Sequence, residues 1–285
     1  EEVWIRQGIK ARRTRNEGRV RALETMRTER TERRELQGKA NIKLDIAERS
    51  GKIVAELENI SHTFGDRKII QDFSCSIMRG DRIGIVGANG AGKSTLIKII
   101  LGQLVPTEGE VKLGSKLEVA YFDQLREHLD MEKNLIDNIC DGQEFVEIDG
   151  KRKHAISYLG DFLFTPDRAR TPAKALSGGE QNRAILAKVF SRPANVLVLD
   201  EPTNDLDIET LELLEEMLSN FKGTVLLVSH DRKFMDNVVT SVMVFEDDGN
   251  VQDYVGGYSD WVQHGGKLLD VDVTLKIPNN KQKTK

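Results

Sequence analysis

The stretch Ile83-Gly84-Ile85-Val86-Gly87-Ala88-Asn89-Gly90-Ala91-Gly92-Lys93-Ser94-Thr95 decides the fold. It opens as an apolar strand, passes through a glycine-rich loop and enters a helical pattern over 94–101. Strand, loop of the form GxxxxGK[ST], then helix is the context in which this motif cradles phosphate. Gly87, Gly90 and Gly92 let the backbone curl, so that the N–H groups of the loop, those of Ala88, Asn89 and Ala91 included, face one anion together with the helix N-terminus. Lys93 then neutralises β- and γ-phosphate oxygens, and the Ser94 hydroxyl, with Thr95 beside it, is placed to ligate Mg2+. An ordinary glycine turn requires neither the lysine nor the flanking strand and helix.

A second apolar run, Val196-Leu197-Val198-Leu199, ends in Asp200-Glu201, with Asp200 standing 107 residues after Lys93. Two carboxylates at a strand end suit two tasks: Asp200 holds Mg2+ through water, and Glu201 orients and activates an attacking water. The pair of motifs therefore predicts binding and hydrolysis of a nucleoside triphosphate with Mg2+.

Around these motifs the sequence alternates. Short Val- and Ile-rich runs at 53–57, 82–86, 110–113, 117–122, 196–199, 224–229 and 241–245 predict strands, and helical stretches at 180–190, 209–221 and 232–238 separate the later ones. Buried strands alternating with helices predict an α/β fold, a parallel sheet with helices on both faces. The strands on either side of the phosphate loop have no such helices between them and predict an antiparallel sheet.

The ends differ in composition. Residues 1–50 hold 14 Lys and Arg against 9 Asp and Glu, whereas the rest holds 28 against 37. Between Lys10 and Arg21 six cations (Lys10, Arg12, Arg13, Arg15, Arg19, Arg21) face one anion, Glu17, and only Ala11 and Val20 are apolar. Such a segment has helical propensity but no core-facing stripe. It reads as a basic helical arm suited to phosphate-rich RNA or DNA. The expected organisation is the arm at 1–50, a domain at 51–265 and a polar, disordered tail at 266–285. No apolar run approaches the roughly 20 residues that span a bilayer. The start, Glu1-Glu2-Val3-Trp4, has no signal-peptide pattern and reads as part of a longer protein. Cys75 and Cys140 lack any metal or disulfide spacing, which points to a reducing cytoplasm. His62, His128, His154 and His264 show no ligand spacing and read as structural or exposed.

Between the two phosphate motifs lies Leu176-Ser177-Gly178-Gly179-Glu180-Gln181. It resembles the signature motif of the ATP-binding cassette (ABC) family, and the likeness extends over roughly residues 51–261. The resemblance implies an ABC-type core: the parallel sheet, an antiparallel β subdomain and an α-helical signature subdomain. It implies that Ser177, Gly178, Gly179 and Glu180 bind the γ-phosphate of an ATP held by a second cassette, giving a head-to-tail sandwich of two ATPs. It further implies roles for Gln124, which looks like the glutamine that senses Mg2+ and the attacking water, and for Asp207, which looks like the aspartate that couples the two sites. His230 resembles the switch histidine at the γ-phosphate, and Phe64, 23 residues before Gly87, the aromatic that stacks on adenine.

Three features resemble the ABC-F class, which pairs two cassettes in one chain without a transmembrane part. They are Asp200-Glu201-Pro202-Thr203-Asn204-Asp205-Leu206-Asp207, the Asp231 after His230, and Tyr254-Val255-Gly256-Gly257-Tyr258-Ser259-Asp260-Trp261. The arm resembles the linker between cassettes in one bacterial group of that class. What the resemblance implies is an ATPase that pairs with a second cassette, from the same full-length chain or a homodimer. Its target would be the ribosome, with its rRNA and tRNA, or branched DNA. The energising subunit of a membrane transporter shares the ATP motifs, but neither the arm nor the closing motif, and an ATP-dependent regulator would differ from an enzyme only in turnover.

Overall fold

The apolar runs become strands, and the order in which they pair builds the site. The computed structural model describes residues 51–123, 129–148, 151–204, 206–246 and 249–266. The arm with its six cations, Gln124, His128 and the tail beyond Gly266 lie outside the described residues.

Three strands, β1 (Ile53–Phe64), β2 (Arg67–Met78) and β4 (Glu108–Leu113), form an antiparallel sheet in the order β2-β1-β4. The remaining long strands form a second sheet: β3 (Arg82–Val86), β5 (Val119–Asp123), β8 (Val196–Asp200), β9 (Thr224–Val228), β10 (Ser241–Phe245) and β11 (Val251–Val255). Their order is β11-β10-β3-β9-β8-β5, and all neighbours are parallel except β10 and β11. The antiparallel sheet is thus the predicted one, with a difference: β3, which immediately precedes the phosphate loop, leaves it for the parallel sheet.

Alternate residues of the central strands feed two cores. Leu197, Leu199, Val225 and Leu227 pack with α5 (Gly178–Phe190), α6 (Ile208–Asn220) and α7 (Arg232–Val238) on one face. Val196, Val198, Leu226 and Val228 pack on the other face with α1 (Lys93–Ile100) and the antiparallel sheet. A strand buried on both sides has no polar side to show, which is why these runs are apolar throughout. Leu96, Ile97, Ile99 and Ile100 are wholly buried, and each such side chain contributes about 1.5–3 kcal/mol by leaving water.

The three helices α5, α6 and α7 all begin at loops singled out above, each with a side-chain cap. Ser177 caps α5, Asp207 accepts from Thr210 N–H at 2.7 Å and Asp231 from Phe234 N–H at 2.9 Å. Caps of this kind satisfy otherwise orphaned donors and set where each helix starts. At the far end of α6, Arg82 donates to the carbonyls of Ser219 (3.2 Å) and Phe221 (2.8 Å), tying that helix to β3.

Several elements had no counterpart in the sequence reading. β1 continues to Phe64, and β2 pairs with it through Phe64 opposite Arg67. A hairpin of β6 (Phe145–Ile148) and β7 (Lys151–His154) precedes α3 (Ala155–Asp161) and α4 (Pro166–Ala169), while α2 (Leu135–Cys140) and α8 (Tyr258–Gln263) stand elsewhere. These helices have only four to seven residues, too few turns to show a 3.6-residue period. Among the described residues no helix is long and apolar enough to cross a membrane.

Candidate active site

Because β3, β9 and β8 are neighbours, the loops leaving their C-terminal ends converge. These are the glycine loop after β3, Ser229-His230-Asp231 after β9 and Glu201 after β8. Open parallel sheets place ligand crevices at such ends. Here the loops line a cleft of about 550 Å³ with Phe64, Asn89, Lys93, Ser94, Thr95, Asp200, Glu201 and His230 at its surface.

Gly92 holds a left-handed φ of 118° immediately before α1, and a Cβ there would come within 2.3 Å of Ile69 Cγ2. No other residue type fits a turn so tight against β2. Lys93 Nζ donates to the carbonyls of Gly87 (2.7 Å) and Ala88 (3.2 Å). Partial burial lowers its pKa, and the nearby Glu201 and Asp200 carboxylates pull it back up. A cation half withdrawn from water beside two carboxylates is prepared for phosphate charge. Ser94 Oγ lies 3.5 Å from Asp200 Oδ2. Among the described residues no group of three His, Cys, Asp or Glu side chains could hold a metal alone. Two oxygens, however, suit Mg2+, which takes its remaining ligands from phosphate and water.

Glu201 sits at φ 49°, a left-handed conformation unusual for a residue with a side chain. Its N–H extends the β8–β9 ladder to Val228 O at 2.8 Å. Oε2 accepts from His230 N–H at 3.2 Å. Oε1 is buried without a hydrogen-bond partner, and the approach of His230 Nε2 to 3.4 Å becomes an ion pair only when that imidazole is protonated. Glu201 lines the cleft, and a carboxylate oxygen left without a donor is an acceptor still to be matched. His230 Nε2 also lies 3.3 Å from Asn89 Oδ1, which links the loops after β9 and β3.

Phe64 is 56% exposed at the cleft rim, so its ring is no part of either core. Its ring stands nearly perpendicular to that of His62, which is buried; His154 caps α3, and His264 is exposed. Arg67, a lining residue that sequence reading missed, donates to Gly90 O at 2.9 Å. The signal for it was available only as a register: Arg67 is the cross-strand partner of Phe64.

The signature residues do not line this cleft. Ser177 and Glu180 form a complete capping box, and Arg168 on α4 donates to both Glu180 oxygens, at 2.8 and 2.6 Å. The carboxylate of Glu180 is therefore turned into the cap. Gly179 instead abuts Asp207, whose Oδ2 would lie 2.3 Å from a Cβ at position 179. Arg183 Nη1 approaches the same oxygen to 3.6 Å. Signature loop and the start of α6 thus form one contact surface, separate from Lys93.

A family model described as ABC transporter matches residues 70–204. The chain is 58% identical over 260 residues to the ATP-binding protein Uup of Haemophilus influenzae, covering 91% of this chain and 40% of that protein. It is 57% identical over 260 residues to the ATP-binding protein Uup of Escherichia coli, covering 91% and 41%. The Energy-dependent translational throttle protein EttA of Escherichia coli is 36% identical over 269 residues, covering 94% and 48%. The chain spans about half or less of these relatives' length.

Proposed function

Because this chain belongs to the ATP-binding cassette family, as a cassette of the ABC-F type, we propose that it binds MgATP at Lys93 and hydrolyses it when a second cassette closes over the cleft. The observation that carries this is the separation of two helix starts: the first residues of α1 line the cleft, while those of α5 do not. A helix N-terminus with free N–H groups and small residues favours an anion. The second cassette, from the same full-length protein or another copy, brings the ATP that Gly178 and Gly179 receive, with Ser177, whose own donors are held by Glu180, setting the loop that presents them.

In the cleft, the loop N–H groups and Lys93 hold the β- and γ-phosphates, and the exposed Phe64 ring stacks on adenine. Ser94 and Asp200 would hold Mg2+, which when bound neutralises phosphate charge as a Lewis acid. Glu201 accepts a proton from the attacking water as it adds in line to the γ-phosphorus, and the bond from that phosphorus to the β–γ bridging oxygen breaks, so that ADP leaves. His230 steadies Glu201 through its backbone N–H and faces the γ-phosphate with its ring; Gln124 senses the same water, and Asp207 couples the paired sites.

The arm at 1–50, with Lys10, Arg12, Arg13, Arg15, Arg19 and Arg21, contacts the phosphates of the target, in the cytoplasm. We read that target as the ribosome with its rRNA and tRNA, since one relative is named for throttling translation; branched DNA is the competing ligand. The domain at 51–265 carries the ATPase and 266–285 a polar tail. The test is ATPase rate against protein concentration: a specific rate that rises with concentration supports pairing, and a high, concentration-independent rate in a verified monomer refutes it. Co-sedimentation of the full-length protein, trapped with ATP, against ribosomes and four-way DNA junctions then separates the targets.

A further inference from the structure

The signature loop presents an electrostatic conflict. The first turn of α5 suits an anion, yet its third residue is Glu180, whose side chain is 15% exposed. Left alone, that carboxylate would stand beside any triphosphate approaching Gly178 and Gly179, and like charges repel.

Two sets of contacts contain it. Arg168 grips both oxygens with a parallel pair of bonds, 2.8 Å from Nε to Oε1 and 2.6 Å from Nη2 to Oε2. On the other side Oε2 accepts from the Ser177 N–H (2.8 Å) and hydroxyl (2.9 Å), while Ser177 Oγ accepts from Glu180 N–H at 3.3 Å. The Ser177 N–H and hydroxyl hydrogen and the Glu180 N–H are thereby engaged within the loop. Gly178 remains on the open side, where a Cβ would meet nothing within 4 Å, while Gly179 beside it abuts the Asp207 carboxylate that Arg183 Nη1 approaches to 3.6 Å. Arg168 reaches the loop from α4, itself started by Thr165, so the short helices before the signature motif are joined to it by a charge. A guanidinium fork matches a carboxylate in both geometry and charge, which a lysine in the same place would not.

We propose that Arg168 is the positioning residue of the signature loop: it neutralises Glu180 and holds it in the cap, so that Gly178 and Gly179 can meet the triphosphate of the opposing cassette. This rests on the paired-cassette reading. Arg168 does not line the Lys93 cleft and touches no reacting atom.

The experiment uses the full chain in two backgrounds. With Glu201→Gln to prevent turnover, ATP-driven self-association is measured by sedimentation equilibrium; with Lys93→Ala to disable the cleft, inorganic triphosphate is titrated against the amide signals of Gly178 and Gly179. In both, Arg168→Met should weaken association roughly tenfold, the worth of one charge-assisted contact. Adding Glu180→Gln to Arg168→Met removes the stranded charge and should recover most of that loss. A bond that merely packs α4 against α5 would not be rescued in this way. ATP affinity of the Lys93 cleft, read with a fluorescent nucleotide without the Lys93 substitution, should stay within about twofold in Arg168→Met and serves as the check on folding. If the Glu201→Gln parent fails to associate in ATP, the paired reading falls, while the triphosphate titration still decides the role of Arg168. The proposal is overturned if Arg168→Met binds triphosphate like its parent, or if the double substitution is as weak as the single one.

Discussion

Replacing Glu180 by Gln should destabilise the protein at neutral pH and destabilise it progressively less as acid is added. Arg168 first, then the two donors of Ser177, hold the Glu180 carboxyl at a pKa of about 2, against an ordinary 4.5. That depression corresponds to at most about 3 kcal/mol of folding free energy. Arg168 is 40% exposed, and water and salt screen such a pair, so the expected cost of Glu180→Gln is about 1–2 kcal/mol. The sign follows from the depressed folded value: the contribution is complete above the unfolded pKa and is lost as pH falls through the folded one. It should be whole from pH 7 to about pH 5.5, reduced to about half between pH 3.5 and 3, and gone near pH 2 or below. Urea unfolding of the full chain and of Glu180→Gln, at matched pH, reads the gap directly. A gap that stays constant from pH 7 to pH 3, or widens in acid, would refute the assignment of that charge to the cap.

Glu201→Gln keeps the shape of the side chain and removes the base, so hydrolysis should fall by about 10²–10⁴-fold, with ATP binding retained by equilibrium dialysis; Lys93→Ala should weaken binding itself. Gly179→Ala drives a methyl against the Asp207 carboxylate, and loss of its cap should cost about 1 kcal/mol in a thermal melt. Gly178→Ala meets nothing within 4 Å and should melt like the parent, yet show slower ATPase because it crowds the face offered to the opposing triphosphate. Replacing Arg12, Arg13 and Arg15 with Glu should weaken ribosome or DNA binding and flatten its salt dependence by about 0.7–0.9 in log–log slope per lost contact, with ATP affinity preserved.

The phosphate loop, the paired carboxylates and the central strands were legible in the sequence because their chemistry is local. A glycine loop between strand and helix faces phosphate wherever the chain places it, and a strand buried on both faces must be apolar along its whole length. Asp200 and Lys93 could be named for that reason although 107 residues separate them. Their meeting could not, since it depends on strand order: β9 inserts between β3 and β8, and no residue of those strands encodes its neighbour. Arg67 entered the cleft through hairpin register, in a strand whose mixed pattern gave no clear period. Glu180 shows the limit most sharply. Its position in the signature motif suggested a ligand for phosphate, whereas the fold turns it onto Arg168, twelve residues earlier on a four-residue helix and separated from it by a 3₁₀ turn. A motif specifies which groups are available. Where a carboxylate points, and which cation meets it, is decided only when separate helices pack, because the energy of that choice lies in contacts between elements.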